Sequence, residues 1–123
     1  MARWAPKNGC GSRMDMAEWV TLCSADELPP GEREVFGVNG KWIAVFNVSG
    51  KVYAIEDLCT HDGNVLAYDL QDRPSKLIDH EIECPRHGGR FDLRTGKATR
   101  SPAEIDLPWF QTRIQGDELQ IFV

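Results

Sequence analysis

Between residues 32 and 56, apolar and polar positions alternate with a period of two, and two short turn signals, Asn39-Gly40 and Ser49-Gly50, interrupt the alternation. Successive side chains of a strand point to opposite faces, so this pattern predicts strands over 32–38, 41–48 and 51–56, joined by tight hairpins into an antiparallel meander. A strand over 19–23 precedes them, with Cys23 as a small buried residue. The polar, proline-bearing stretch 26–31 is the connection between them. After residue 56 the alternation lapses. Residues 57–64 read as a loop, 65–70 as a short helical turn or irregular chain, and 71–76 as a polar turn. Alternation returns over 77–83, predicting one strand with His80 facing solvent or a neighbour; after His87 the chain runs through 90–93 and turns at 94–96. Two stretches, 109–114 and 118–123, flank Gly116-Asp117 and predict a closing hairpin that packs on the meander, with Trp109 and Phe110 in the core. Nothing longer than a turn or two shows a 3.6-residue period. The expectation is an all-β chain: an antiparallel sandwich or barrel base with an insert of two loops. Residues 1–16, containing Pro6, Asn8, Gly9, Gly11 and Ser12, read as a flexible extension, and 17–123 as a single domain.

The 123 residues suit one modest core. Hydrophobic residues at 41% and charged residues at 27% are ordinary for a globular protein. No apolar run approaches the length that spans a bilayer, and Arg3, Lys7 and Arg13 are not followed by an apolar leader, so a cytoplasmic chain without membrane partners is expected. Formal net charge is −5, from 14 basic and 19 acidic residues. Three of the basic residues precede Met14, so the body of the chain is more acidic still. That opposes nucleic-acid binding, which needs a basic face. It suits either docking to a basic patch, weakened by salt, or simple solubility.

The candidate chemistry lies in two stretches, Cys59-Thr60-His61 and Cys84-Pro85-Arg86-His87, which hold two of the four cysteines and two of the three histidines. Between His61 and Cys84 lie 22 residues, enough to bring the pairs face to face. Two thiolates and two imidazoles suit a structural tetrahedral zinc site. They equally suit a [2Fe–2S] cluster with two thiolates on one iron and two imidazoles on the other. The flanks favour the cluster. Gly63, Gly88 and Gly89 permit tight turns that aim backbone N–H groups at bridging sulfides, and a cluster's potential depends on such bonds where zinc needs none.

The pattern C-x-H-x(22)-C-x-x-H, with those glycines, closely resembles the Rieske [2Fe–2S] family. Gly88-Gly89-Arg90-Phe91-Asp92-Leu93-Arg94-Thr95-Gly96-Lys97 and the later Ser101-Pro102-Ala103 look like that family's continuation, and the resemblance runs from about Trp19 to Val123. It implies a Rieske-like base with a cluster-binding subdomain made of loops at about 57–64 and 84–91. It implies that Cys59 and Cys84 hold an inner iron, that His61 and His87 hold an outer one, and that a proline-bearing loop covers one side. The spacing between the pairs is longer here than is common in the family, which adds an excursion. High-potential members carry a disulfide between the loops and Ser and Tyr hydroxyls on cluster sulfurs. The matching positions here are Asn64 and Arg86, and Gly89 and Phe91, so neither feature can form.

The resemblance is nearest to the small ferredoxins of bacterial aromatic-ring dioxygenase systems. It implies a one-electron carrier of low potential, not an enzyme in itself, taking electrons from a NAD(P)H-dependent flavin reductase to a terminal non-haem iron oxygenase, with a monomer as the default. A Rieske-like small subunit of a nitrite reductase and a zinc-stabilised binding module without redox role are the alternatives.

Overall fold

The computed structural model describes residues 2–4, 18–59, 65–69, 71, 73–86 and 88–123. Twelve strands and one 3-10 turn make up the described secondary structure, and the chain divides into two compact units, Met1–Ala54 with Phe110–Val123, and Ile55–Trp109.

The first unit is built on the meander. β3 (Arg33–Val38), β4 (Lys41–Val48) and β5 (Lys51–Glu56) follow in order after β1 (Ala2–Trp4) and β2 (Trp19–Ser24). Asn39 and Gly40 both take positive φ, 53° and 78°, and the register closes with Val38 opposite Lys41. That is the two-residue turn whose twist matches its flanking strands. Ser49 and Gly50, at 55° and 94°, repeat the solution. The buried Asn47 side chain ties this turn inward: its amide donates to the Leu28 carbonyl, and its oxygen accepts from Gly50 N–H.

The expected closing hairpin is β11 (Thr112–Gln115) and β12 (Glu118–Phe122), and β12 pairs antiparallel with β2. Leu119 and Ile121 of β12 pack with Leu22, Phe36, Val38, Ile43, Val45 and Ala54 in one buried cluster, where Cys23 also lies. The hairpin therefore packs on the meander as the alternation indicated.

Two expectations need correcting here. Ala2–Trp4, inside the segment expected to be a flexible extension, pairs in parallel with Val35, Phe36 and Gly37. β3 has β4 on one side, and β1 takes the second row of N–H and C=O groups that the meander alone would leave open. Residues 5–17 lie outside the described residues. Trp109 is not core: it is 47% exposed, while Phe110 packs partly buried on the core cluster. These two residues form the short strand β10 (Trp109–Phe110), and neighbours on a strand face opposite ways.

The second unit is a four-stranded antiparallel sheet in the order β6 (Leu77–Ile78), β7 (Glu81–Glu83), β8 (Arg90–Asp92) and β9 (Ala98–Arg100). The single strand expected over 77–83 is in fact two. Asp79, at φ 55°, folds the chain back so that Ile78 faces Glu81. Aspartate is among the few residues that enter this left-handed region at low cost. His80 is thus a turn residue, and its carbonyl accepts from Leu93 N–H. The 3-10 turn Ala25–Glu27 is the longest described helical piece, and no helix is long and apolar enough to cross a membrane.

Candidate metal centre

Both candidate thiols belong to the second unit, and different devices position them. The first loop starts where β5 ends. Asp57 is buried, and its Oδ1 accepts from the backbone N–H groups of Leu66 and Ala67, each at 2.8 Å. One carboxylate oxygen thereby joins the start of the loop to its end, nine and ten residues on. Leu66 and Ala67 are fully buried beneath it. Cys59, two residues after the clasp, is 1% exposed, while Leu58 and Val65 at the rims face solvent. Thr60, His61, Gly63 and Asn64 lie outside the described residues.

The second loop is the turn of a hairpin. β7 and β8 pair with Ile82 opposite Phe91 and Glu83 opposite Arg90. Above that last pair, Cys84 N–H donates to the Gly89 carbonyl at 2.7 Å, and Gly88 N–H donates to the Cys84 carbonyl at 3.1 Å. Gly88 takes φ +78°, the conformation anticipated for a glycine here. Cys84 is 2% exposed; Pro85 and Arg86 are on the surface. His87 lies outside the described residues. A Cβ at Gly89 would stand 3.0 Å from both the Cβ and the backbone nitrogen of Ala103, so the proline-bearing loop lies directly on this glycine. Below the loop, the Glu83 carboxylate accepts from Arg90 Nε at 3.1 Å, and Arg100 approaches it at 3.8 Å.

The long spacing between the pairs is taken up by a compact excursion. Tyr68 bridges Pro74, and Asp69 Oδ1 accepts from the N–H groups of Gln71 and Arg73. Its second oxygen meets Arg73 Nε at 2.9 Å. The backbone N–H of Arg73, first among these, holds the Asp69 carboxyl below its usual range. Ser75 N–H then returns to the Ala67 carbonyl, so the excursion is stemmed on the residue that Asp57 clasps.

Two cysteines buried in one unit, the second on a loop shaped by the positive-φ Gly88 and by Gly89 packed against Ala103, suit a sulfur-ligated metal group. Among the described residues no three metal-binding side chains gather, because both candidate histidines fall outside them. Asp57 had not been singled out from the sequence. Its only signal was an acidic residue between the end of a strand and the first Cys-x-His.

Residues 18–111 match the Rieske [2Fe-2S] domain. The chain belongs to the Rieske [2Fe–2S] family. As a Rieske chain it takes a [2Fe–2S] cluster, and the zinc alternative left open by the ligand types is closed. Among curated relatives, the ferredoxin component of the naphthalene 1,2-dioxygenase/salicylate 5-hydroxylase systems of a Ralstonia species is 37% identical over 97 residues, 79% of this chain and 88% of the relative. The ferredoxin component of the p-cumate 2,3-dioxygenase system of Pseudomonas putida is 35% identical over 111 residues, 89% of this chain and 88% of the relative. Among solved structures, a complex of reduced oxygenase and oxidized ferredoxin in carbazole 1,9a-dioxygenase contains a chain 31% identical to this one. It superposes with a TM-score of 0.74 over 85% of this Rieske chain and 92% of its own.

Proposed function

We propose that this protein is the ferredoxin component of an aromatic-ring dioxygenase system, a one-electron carrier of low potential between a NAD(P)H-dependent flavin reductase and a terminal non-haem iron oxygenase. The observation that carries the reading is the pair of buried thiols, Cys59 and Cys84, on two loops of one unit, in a Rieske chain whose relatives are named as ferredoxin components of such systems. Those names also favour it over a nitrite-reductase small subunit.

In this reading Cys59 and Cys84 would hold one iron of the cluster, and His61 and His87 the other. The cluster supplies a single reversible electron. Mixed ligation leaves the oxidised centre neutral, where four thiolates would leave it with two negative charges, and this raises its potential above that of an all-cysteine centre. The chain's own residues then hold that potential down within the Rieske range. Phe91 is fully buried and Gly89 has no side chain, so neither offers a hydroxyl to stabilise the extra negative charge of the reduced state. A value near the lower end, about −150 mV, is expected in place of about +300 mV. Leu58, Val65, Pro85 and Arg86 are exposed on the two loops and form the surface that meets each partner.

The test is a visible and EPR spectrum of anaerobically purified protein before and after dithionite, followed by a redox titration. A brown protein with a rhombic reduced signal and a potential in the lower part of the range supports the carrier. A potential near the upper end would remove the flavin-to-oxygenase relay.

A further inference from the structure

The polar groups buried in the cluster-bearing unit include one carboxylate whose position is hard to explain by packing alone. Asp57 is 6% exposed and lies two residues before Cys59. Burying a carboxylate is expensive unless it is met by hydrogen bonds. Here one oxygen receives two, both at 2.8 Å, both from the backbone, and both from residues at the far end of the same loop. Those residues, Leu66 and Ala67, are themselves fully buried, and Ala67 also anchors the excursion through Ser75. Asp57 is therefore the point at which the β5 exit, the first ligand loop and the excursion stem are joined. The second loop needs no such joint, because strand pairing closes it.

We propose that Asp57 is a positioning residue for the [2Fe–2S] centre: its carboxylate closes the first loop and so fixes where Cys59 presents its sulfur. The role rests on the acceptor oxygen. An amide at this position keeps an oxygen for Leu66 and Ala67 N–H. A methyl group does not. The inference uses the cofactor and the Cys59 assignment, and it holds whichever proteins exchange electrons with this one.

The experiment compares holoprotein purified anaerobically as wild type, Asp57→Asn, Asp57→Ala and Asp69→Ala. Asp69→Ala cuts an analogous carboxylate clasp within the excursion, outside the ligand loop. Loss of visible absorbance in the presence of a chelator is followed for each, with EPR spectra of the loaded forms. Asp57→Ala is expected to lose its cluster about tenfold faster or more, the scale on which residues that orient metal ligands act, with an altered EPR line shape in the fraction that stays loaded. Asp57→Asn is expected to restore retention and the wild-type line shape. Asp69→Ala is expected to match wild type. The proposal is overturned if Asp57→Ala retains its cluster and line shape, if Asp57→Asn fails as Asp57→Ala does, or if Asp69→Ala fails equally. If Asp57→Ala yields no soluble holoprotein, the Asp57→Asn half-life and line shape decide alone: wild-type values support the clasp, and loss of either overturns it.

Discussion

The two loops that carry Cys59 and Cys84 are closed by opposite means. The loop after Cys84 is short and begins and ends in paired strands, so the register of β7 against β8 closes it through backbone hydrogen bonds. The loop around Cys59 leaves the end of β5, and its described ends, 57–59 and 65–67, belong to no strand pair. It is held by a buried carboxylate reaching over to Leu66 and Ala67. Where local pairing supplies closure, side chains are free to vary. Where it does not, one buried polar residue must supply it, at a cost in desolvation that only well-made hydrogen bonds offset.

If both loops serve a single centre, breaking either must empty both. Cys84→Ser, His87→Ala and Cys59→Ser are each expected to abolish visible absorbance and to destabilise the fold, since metal binding and folding are coupled. A variant with full absorbance would contradict its ligand assignment. Next in size is the packing under the second loop. Phe91 is fully buried opposite Ile82, and Phe91→Ala should cost about 3–5 kcal/mol in a denaturant titration. A loss much under this range would mean that the hairpin draws its rigidity from elsewhere. A subtler change at the same residue tests electrostatics: Phe91→Tyr brings a hydroxyl to the position where high-potential relatives carry one, and the potential should rise. No shift, or a fall, would undercut the argument for a low potential.

The smallest effect concerns the turn after β8. Arg94 donates from its side chain and backbone to Asp92, and the side-chain bond leads in holding that carboxyl below its ordinary 3.8, against the opposing effect of partial burial. Because the folded value lies below the unfolded one, the stabilisation is complete above about pH 4. It is lost as pH falls through the lowered folded value. Denaturant midpoints of Asp92→Asn and wild type should therefore differ at neutral pH and converge in strong acid.

Regular pairing was the legible part of the chain. Asn39-Gly40 and Ser49-Gly50 announce their turns because few residue types enter positive φ, and the alternation around them sets the register. The Cys-x-His and Cys-x-x-His pairs announce the chemistry for a similar reason, since few sites need soft thiolates and imidazoles so spaced. What the sequence hid were the short-range contests. Over 77–83 the alternation is real, but Asp79 can turn the chain, and a four-residue hairpin keeps the same polar pattern as one strand. β9 went unseen because Ala98-Thr99-Arg100 has no apolar face to reveal it. Asp57 was invisible as a clasp because its partners are backbone groups, which carry no mark of identity in a sequence. Trp109 was misplaced because two adjacent aromatics cannot share one face of a strand.

One bond described by neither loop's chemistry has a wider consequence. As the chain leaves β5, Glu56 N–H donates to the carbonyl of Pro108 at 3.0 Å. Everything from Asp57 to Leu107 thus departs and returns through a single doorway. Closing a longer or shorter circuit through a fixed doorway changes the entropy only slowly, by about 0.6 kcal/mol per doubling of length. The excursion at Tyr68–Pro74, stemmed on Ala67 within the same unit, is a piece whose length can change at that small entropic cost.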